Sequence, residues 1–367
     1  MRRGAHIDKT LALLIAALVV GGGLVFASAA FGLLARGATH MSSVVFSHLV
    51  LGVGLGLVAL AIGLSLDYRI WRKYAPHLFI LAVIATALVF IPGLGFSHGG
   101  GTRWLHIGGF SVQPSEGLKI AAVIAAAAYF SFIKTKVTNF TYGFGGFLAI
   151  LALPVVILLL QPDTGTLGII SVSVAAVFFA AGASWKQILA ALMIGLVALT
   201  MLATFRPYVR DRITTFFNPG ENQHAQSYQL RQSLIAIGSG GFTGRGFGQG
   251  IQKFTYLPEP MGDSIFAVAA EELGFIGSTV IVLLFLAFAL RGYRVATHAP
   301  DLFGSLLAVG IATYLAAEAF INIGAMLGAF PLTGVPLTFV SQGGTAMLVS
   351  LGSAGILLSI SRRHSRA

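Results

Sequence analysis

The strongest constraint in this sequence is a series of long stretches that contain almost no charge. Residues 11–34 form the first, with no ionisable side chain across 24 positions. A helix needs about 20 such residues to cross roughly 30 Å of hydrocarbon. That length test selects ten segments, at 11–34, 46–66, 78–93, 116–133, 141–160, 166–182, 188–205, 264–290, 303–325 and 343–360. The third and sixth are the shortest. The expected fold class is therefore an all-α integral membrane protein with about ten transmembrane helices, forming one polytopic domain over residues 1–367. Composition agrees, because only 10% of residues are charged and the mean hydropathy is +0.87, whereas a soluble domain carries about 25% charged residues.

Orientation follows from lysine and arginine. If the termini share one side, the short segments there carry Arg2, Arg3, Lys9, Arg69, Arg72, Lys73, Lys134, Lys136, Lys186, Arg291, Arg294, Arg362, Arg363 and Arg366. The opposite short loops carry Arg36 and Arg103. Basic residues collect on the cytoplasmic side, so both termini are expected there. The net charge of +11 then matches anionic lipid rather than nucleic acid. The loop at residues 206–263, between helices 7 and 8, lies outside and is far longer than the others. Loops of that length usually carry function. Within it, residues 227–237 place Leu230, Leu234 and Ile237 at helical spacing before Gly238, which predicts a short amphipathic helix.

With that topology, only Asp8, Asp67 and Asp301 among the twelve carboxylates fall inside. Glu116, Asp163, Asp211, Glu221, Glu259, Asp263, Glu271, Glu272 and Glu318 fall in outer loops or the outer parts of spans, which implies a polar site near the outer face. A charge within a span lines a cavity or finds a partner. Glu116 and Lys119, at i and i+3, share a helix face and can pair, either as a structural lock or in contact with a ligand. Glu318 reads first as a buried hydrogen-bonding group. Asp163 can cap the sixth helix and Asp263 the eighth, although the Gly-rich, basic stretch before Asp263 favours a functional role. Glycines between Gly238 and Gly250, with Arg245 and Lys253, can bring amides and cations to an anionic headgroup. Cysteine is absent, which removes disulfides, thiolate metal sites and thiol nucleophiles. The sequence contains no Walker A, His-Glu-x-x-His or Gly-x-Ser-x-Gly pattern, and its histidines lack ligand spacing. Carboxylates remain able to hold Mg beside a phosphate.

Several motifs then resemble one family. They are Gly101-Thr-Arg-Trp104, Gln113-Pro-Ser-Glu-Gly-Leu-Lys119, Gln161-Pro-Asp-Thr-Gly-Thr166 and Gln232-Ser-Leu-Ile-Ala-Ile-Gly-Ser-Gly-Gly241. Tyr256-Leu-Pro-Glu-Pro260, with Asp263 and Ile265-Phe-Ala-Val-Ala-Ala-Glu-Glu-Leu-Gly274, forms the strongest stretch. Pro331-Leu-Thr-Gly-Val-Pro336 and Ser341-Gln-Gly-Gly344 complete it. In order and spacing the chain resembles the SEDS family, the FtsW/RodA-like proteins of the bacterial cell wall, and is somewhat closer to the division branch. It departs from the family pattern at Met261, Gly262, Ser264, Glu318 and Gln342.

The resemblance implies a peptidoglycan glycosyltransferase that polymerises lipid II, an undecaprenyl-pyrophosphate disaccharide-peptide, on the outer membrane face. Asp263 matches the essential carboxylate. Arg103, Glu116, Lys119, Asp163, Arg212, Gln232, Lys253, Glu259 and Ser341 are the expected substrate-binding residues. A class B penicillin-binding protein is the expected partner, with membrane lipid around the spans and no cofactor beyond a divalent cation such as Mg. A lipid II flippase and a noncatalytic scaffold for a wall synthase are the alternative classes. The topology is checked with single cysteines: Ser227→Cys should react with an impermeant thiol reagent on intact spheroplasts, and Ser365→Cys should not. Labelling at residue 365 alone would overturn it.

Overall fold

The computed structural model describes residues 7–35, 46–98, 101–107, 110–218 and 225–363. Arg2, Arg3, Arg36, Glu221, Ser365 and Arg366, which entered the charge and labelling arguments, lie outside the described residues. All ten expected spans are helical. They are α1 (Lys9–Ala35), α2 (Leu55–Ser65, entered through a π-helical turn at Ser47–Gly54), α3 (Arg69–Ala87), α4 (Pro114–Ile133), α5 (Gly145–Leu160), α6 (Thr164–Ala180), α7 (Trp185–Phe205), α11 (Ile265–Thr297), α12 (Leu302–Met326) and α13 (Gly344–Ser361). Three short helices, α8 (Pro207–Phe217), α9 (Ala225–Ser239) and α10 (Gln252–Thr255), occupy the long loop. Nine spans among the described residues are long and apolar enough to cross a membrane, and α6 is a shorter apolar helix of 17 residues.

Helix α3 begins nine residues before the span read from apolar length, because Arg69, Arg72 and Lys73 make its first turns polar without breaking the helix. The segment before α4 contains a small antiparallel sheet of β1 (Gly95–His98), β2 (Gly101–Ile107) and β3 (Phe110–Val112), in the order β1-β2-β3. Its register pairs Phe96 with Trp104 and Leu105 with Val112. This sheet carries Arg103. The core centres on α12, where Leu306, Leu307, Ile311, Tyr314 and Leu315 are buried. Helix α7 is exposed along its apolar length and buries only Gln187, whose amide donates to the Val137 and Asn139 carbonyls.

Ion pairs gather one end of the bundle. Asp8 accepts from Arg291 Nε at 2.8 Å, Asp67 pairs with Arg363, and Asp301 accepts from Arg69 Nε at 3.2 Å. Asp301 also caps α12 through Gly304 N–H and accepts from the Tyr68 hydroxyl at 2.6 Å. Burial opposes its charge, but the Tyr68 and Gly304 hydrogen bonds and Arg69 leave its carboxyl below the usual range. Thus the three acids expected on the inner side each hold a basic partner from another segment.

At the other end, α11 is broken at Gly274, which has φ 67 and ψ −166. The break exposes helix carbonyls and amides, and the loop after α9 satisfies them. Arg245 and Gly246 N–H donate to Glu271 and Glu272 carbonyls, while Phe275 and Ile276 N–H donate to Gly241 and Phe242 carbonyls. Such replacement is required where unsatisfied backbone would meet hydrocarbon. A Cβ at Gly274 would lie 2.2 Å from Gly244 N, in a backbone conformation that L side chains rarely adopt. Gly274→Ala should therefore lower stability by more than the roughly 1–3 kcal/mol of backbone strain alone, measured as a lower melting temperature in detergent. An unchanged melting temperature would mean that the loop yields without loss.

Candidate functional site

Four expected residues converge where the outer ends of α6, α8 and α11 meet the final outer loop. Asp163 ends the tight turn between α5 and α6 and caps α6, accepting from Thr166 N–H at 3.2 Å and its hydroxyl at 2.9 Å. Arg103, on β2, leans over that turn. Its guanidinium lies 3.7 Å from Asp163 Oδ1 and donates to the Pro162 and Gln161 carbonyls. Its side chain is 14% exposed, against 4% for Asp163, so the arginine is the reachable member. The cap and the charge contact coexist: capping orients the carboxylate that Arg103 meets.

Arg212, on α8, completes the basic part. Its Nη1 donates to Thr164 Oγ1 at 3.2 Å and to the Thr333 carbonyl at 3.3 Å. Burial and the nearby Arg103 charge push this guanidinium below its ordinary value, while Tyr208, Asp163 and Asp263 oppose that shift. Two arginines and two aspartates therefore act on one another here. Arg212 Nε and Thr333 Oγ1 are buried without a hydrogen-bond partner among the described residues, leaving two donors beside the carboxylates.

Asp263 lies in the turn just before α11 and is half-buried. This turn is held from four directions. Ser264 and Gly262 N–H donate to the Glu259 carbonyl, and Ser264 Oγ accepts from Gln229 on α9 at 3.0 Å. Ser341 Oγ donates to the Gly262 carbonyl at 2.7 Å and accepts from Leu337 N–H, while Gln342 N–H reaches the Met261 carbonyl at 2.7 Å. Asn322 Nδ2 donates to the Asp263 carbonyl at 2.8 Å. Gly334, at φ +71, faces the carboxylate, and a Cβ there would stand 3.4 Å from Asp263 Oδ2. Both polar hydrogen-bonding sides of Ser341 are thus occupied by backbone, making it an anchor of the loop.

The other expected residues fall elsewhere. Glu259 is exposed in the same turn, at φ +46, and Gln232 is half-buried on α9. Glu116 and Lys119 do pair, at 2.8 Å, and Glu318 from α12 joins them at 2.7 Å from the same ammonium. All three side chains are 2% exposed or less. The lysine also sits 5.5 Å from the Tyr314 ring. This triad is an internal charge lock between α4 and α12. Lys253 corrects the expectation of a headgroup contact: its ammonium is fully buried, donates to Ser28 Oγ at 2.7 Å and the Gly248 carbonyl at 3.1 Å, and pairs with Glu272. Glu271 receives the Ile251 and Gln252 N–H groups. Both glutamates of α11 hold the loop that fills the helix break.

Sequence reasoning missed Asn322, Thr164, Thr333 and Gly334. An asparagine in an apolar span is itself a signal, and Thr333-Gly334 lies within the quoted final-loop motif.

These features define a polytopic membrane protein with a site of two arginines and two aspartates at one end of the bundle. The chain matches the FtsW/RodA/SpoVE family, described as cell cycle protein, over residues 9–366, and belongs to it. It is 40% identical over 313 residues to stage V sporulation protein E of Bacillus subtilis strain 168, covering 85% of this chain and 86% of that protein. It is 36% identical over 364 residues to a probable peptidoglycan glycosyltransferase FtsW of Geobacter sp. strain M18, covering 99% of each. The fold is similar to a chain of a peptidoglycan synthase complex, with TM-score 0.79 and 24% identity over 97% of this chain and 98% of that one. It is also similar to Thermus thermophilus rod shape determining protein RodA, with TM-score 0.70 and 25% identity over 98% of each chain.

The buried triad gives a separable prediction. Lys119→Met leaves Glu116 and Glu318 facing each other without a counter-charge, and breaking a buried pair in this way costs about 3–5 kcal/mol. Glu318→Gln keeps an acceptor for Lys119 and a neutral Glu116–Lys119 pair, and should lose about 1 kcal/mol or less. Melting in detergent compares the two, and equal losses would reject the lock.

Proposed function

We propose that this protein is a peptidoglycan glycosyltransferase that polymerises lipid II at the outer face of the bacterial cytoplasmic membrane, with Asp263 as the catalytic carboxylate. One observation carries the reading: Asp263 faces Gly334, next to the Thr333 carbonyl that Arg212 holds, and Arg212 is a half-buried arginine whose Nε lacks a hydrogen-bond partner among the described residues, close to the Arg103–Asp163 group. Glycosyltransfer from a polyprenyl pyrophosphate needs this combination. An acceptor sugar hydroxyl attacks the anomeric carbon of the donor sugar as the bond to pyrophosphate breaks. The bonding electron pair leaves on the pyrophosphate oxygen, and the hydroxyl proton passes to Asp263. Arg103 and Arg212 offset the charge that develops on the leaving group.

Each arginine is held by carbonyls or hydroxyls of the protein, so its cation is oriented before the substrate arrives. That preorganisation makes charge stabilisation effective in a site shielded from water. Among the described residues, no three His, Asp or Glu side chains converge on one point. A divalent cation bound by a pyrophosphate commonly uses one or two protein carboxylates, and Asp163 and Asp263 are the two available beside Arg212. Such an ion would supply further charge neutralisation of the leaving group.

The family relationship and the relatives named FtsW support a role in wall synthesis with division-type character. The similar fold within a synthase complex that coordinates polymerization and crosslinking supports a partner that supplies the crosslinking. We expect a class B penicillin-binding protein, recovered by crosslinking in native membranes and co-purification. We expect both termini in the cytoplasm, an orientation in which the Asp263 group would face outside.

The N-cap position of α11 is Ser264 rather than Asp263, and Asp263→Asn keeps the shape of the side chain while removing the basic oxygen. Purified Asp263→Asn should polymerise lipid II about 10²-fold or more slowly than wild type, with binding of lipid II retained. A wild-type rate in that variant would refute the catalytic assignment. Movement of lipid II across vesicles with no polymer formed by the wild-type chain would support a flippase instead.

A further inference from the structure

Asn322 occupies an unusual position on α12. It is 1% exposed in a span otherwise dominated by apolar side chains. Its single carboxamide nitrogen donates to two carbonyls, Asp263 at 2.8 Å and Val335 at 2.8 Å. These carbonyls belong to chain segments about seventy residues apart in sequence: the turn before α11 and the final outer loop. The nitrogen thereby uses both protons, and it fixes one segment relative to the other. Its Oδ1 is buried without a partner among the described residues. Leaving an acceptor unsatisfied opposes stability by about 1–3 kcal/mol, so the amide is not the choice that packing alone would favour.

The consequence falls on the carboxylate. Val335 follows Gly334, and Gly334 is the residue whose missing side chain leaves space beside Asp263 Oδ2. Holding the Asp263 and Val335 carbonyls at one nitrogen therefore sets how closely the carboxylate approaches the loop. The Thr333 carbonyl, one residue before Gly334, accepts from Arg212. The same tie hence fixes the distance between the carboxylate and the arginine. Four residues earlier on α12, and so on the same helix face, Glu318 is locked to Lys119. Asn322 projects from a rigid, doubly anchored helix.

We propose that Asn322 is a positioning residue for Asp263, acting through the Asp263 and Val335 backbone to hold the carboxylate at its working distance from the Arg212 group. The proposal rests on the reading of Asp263 as the reacting carboxylate. A reacting group displaced by about 1 Å can lose roughly 10²-fold in rate without losing substrate, so the effect belongs in kcat.

The test uses the purified full chain with lipid II, comparing wild type, Asn322→Asp, Asn322→Leu and Asp263→Asn. Asn322→Asp keeps the volume but replaces the donating nitrogen by an oxygen that repels both carbonyls. Asn322→Leu removes the polar group altogether and supplies an independent variant should the first fail to fold. For folded variants, the expected result is a fall in kcat of about 10-fold or more, with KM for lipid II within about threefold of wild type and the folded fraction unchanged. Asn322→Gln, which restores a carboxamide one methylene longer, should recover part of the lost kcat. Wild-type kcat in Asn322→Asp or Asn322→Leu, or a loss confined to KM or to folded protein, would overturn the proposal. Polymerisation by Asp263→Asn at the wild-type rate would instead overturn the functional reading beneath it.

Discussion

A cation that leaves water within a membrane protein is stable only if a counter-charge and hydrogen-bond acceptors leave water with it. The bundle depends on this at two places. Lys119 brings α4 and α12 together through Glu116 and Glu318, and Lys253 brings the long outer loop against α1 and α11 through Ser28 and Glu272. Neither lysine reaches solvent. Their geometry is therefore fixed by the packing of the helices, and the loops that bear Asp263 and Arg245 inherit that rigidity.

Much of this was legible in residues with local partners. Apolar length located ten helices because a hydrocarbon layer imposes a minimum length on each. Spacing of three paired Glu116 with Lys119, and the turn pattern before Thr166 gave Asp163 as a cap, because both interactions close within one helical turn. The partners that sequence did not reveal are remote. Ser28 lies 225 residues from Lys253 and Glu318 lies 199 from Lys119, and no periodicity links such positions. A lysine after a glycine-rich loop reads as solvated until the glutamate that buries it is placed. The break in α11 was hidden for another reason: a single Gly274 leaves the apolar run continuous, and only the incoming 241–246 backbone shows that the helix opens there.

The small sheet was missed because its strands are short and its loop is neither strongly apolar nor alternating, yet it carries Arg103 to Asp163. Residue identity alone could not distinguish Arg103 and Arg212 from Lys253, since all three are bases in outer segments. Burial and partner type separate them. Lys253 is held by a carboxylate that neutralises it, whereas the hydrogen bonds from Arg212 end on a neutral hydroxyl and a carbonyl. Neutral acceptors orient a guanidinium while leaving its charge largely available. Carboxylates directly bonded to a cation quench it.

That distinction separates architecture from chemistry throughout the molecule. At the end of the bundle opposite Asp263, Asp8, Asp67 and Asp301 each meet arginine directly, and charge serves to join segments. In the centre, the Lys119 triad is sealed from water. At the end that carries Asp263, Arg212 takes neutral acceptors and Arg103 takes two carbonyls beside the Asp163 carboxylate at 3.7 Å, while Asp163 is oriented by its helix cap and the Asp263 turn is braced by Ser341, Gln229 and Asn322. On the proposed reading, a pyrophosphate entering such a place meets a guanidinium already oriented by neutral acceptors. The Asp263 carboxylate has, on that same reading, a matching need, because it must face an acceptor hydroxyl. The hydrogen bond from Asn322 to the Asp263 carbonyl holds the turn in which that carboxylate sits.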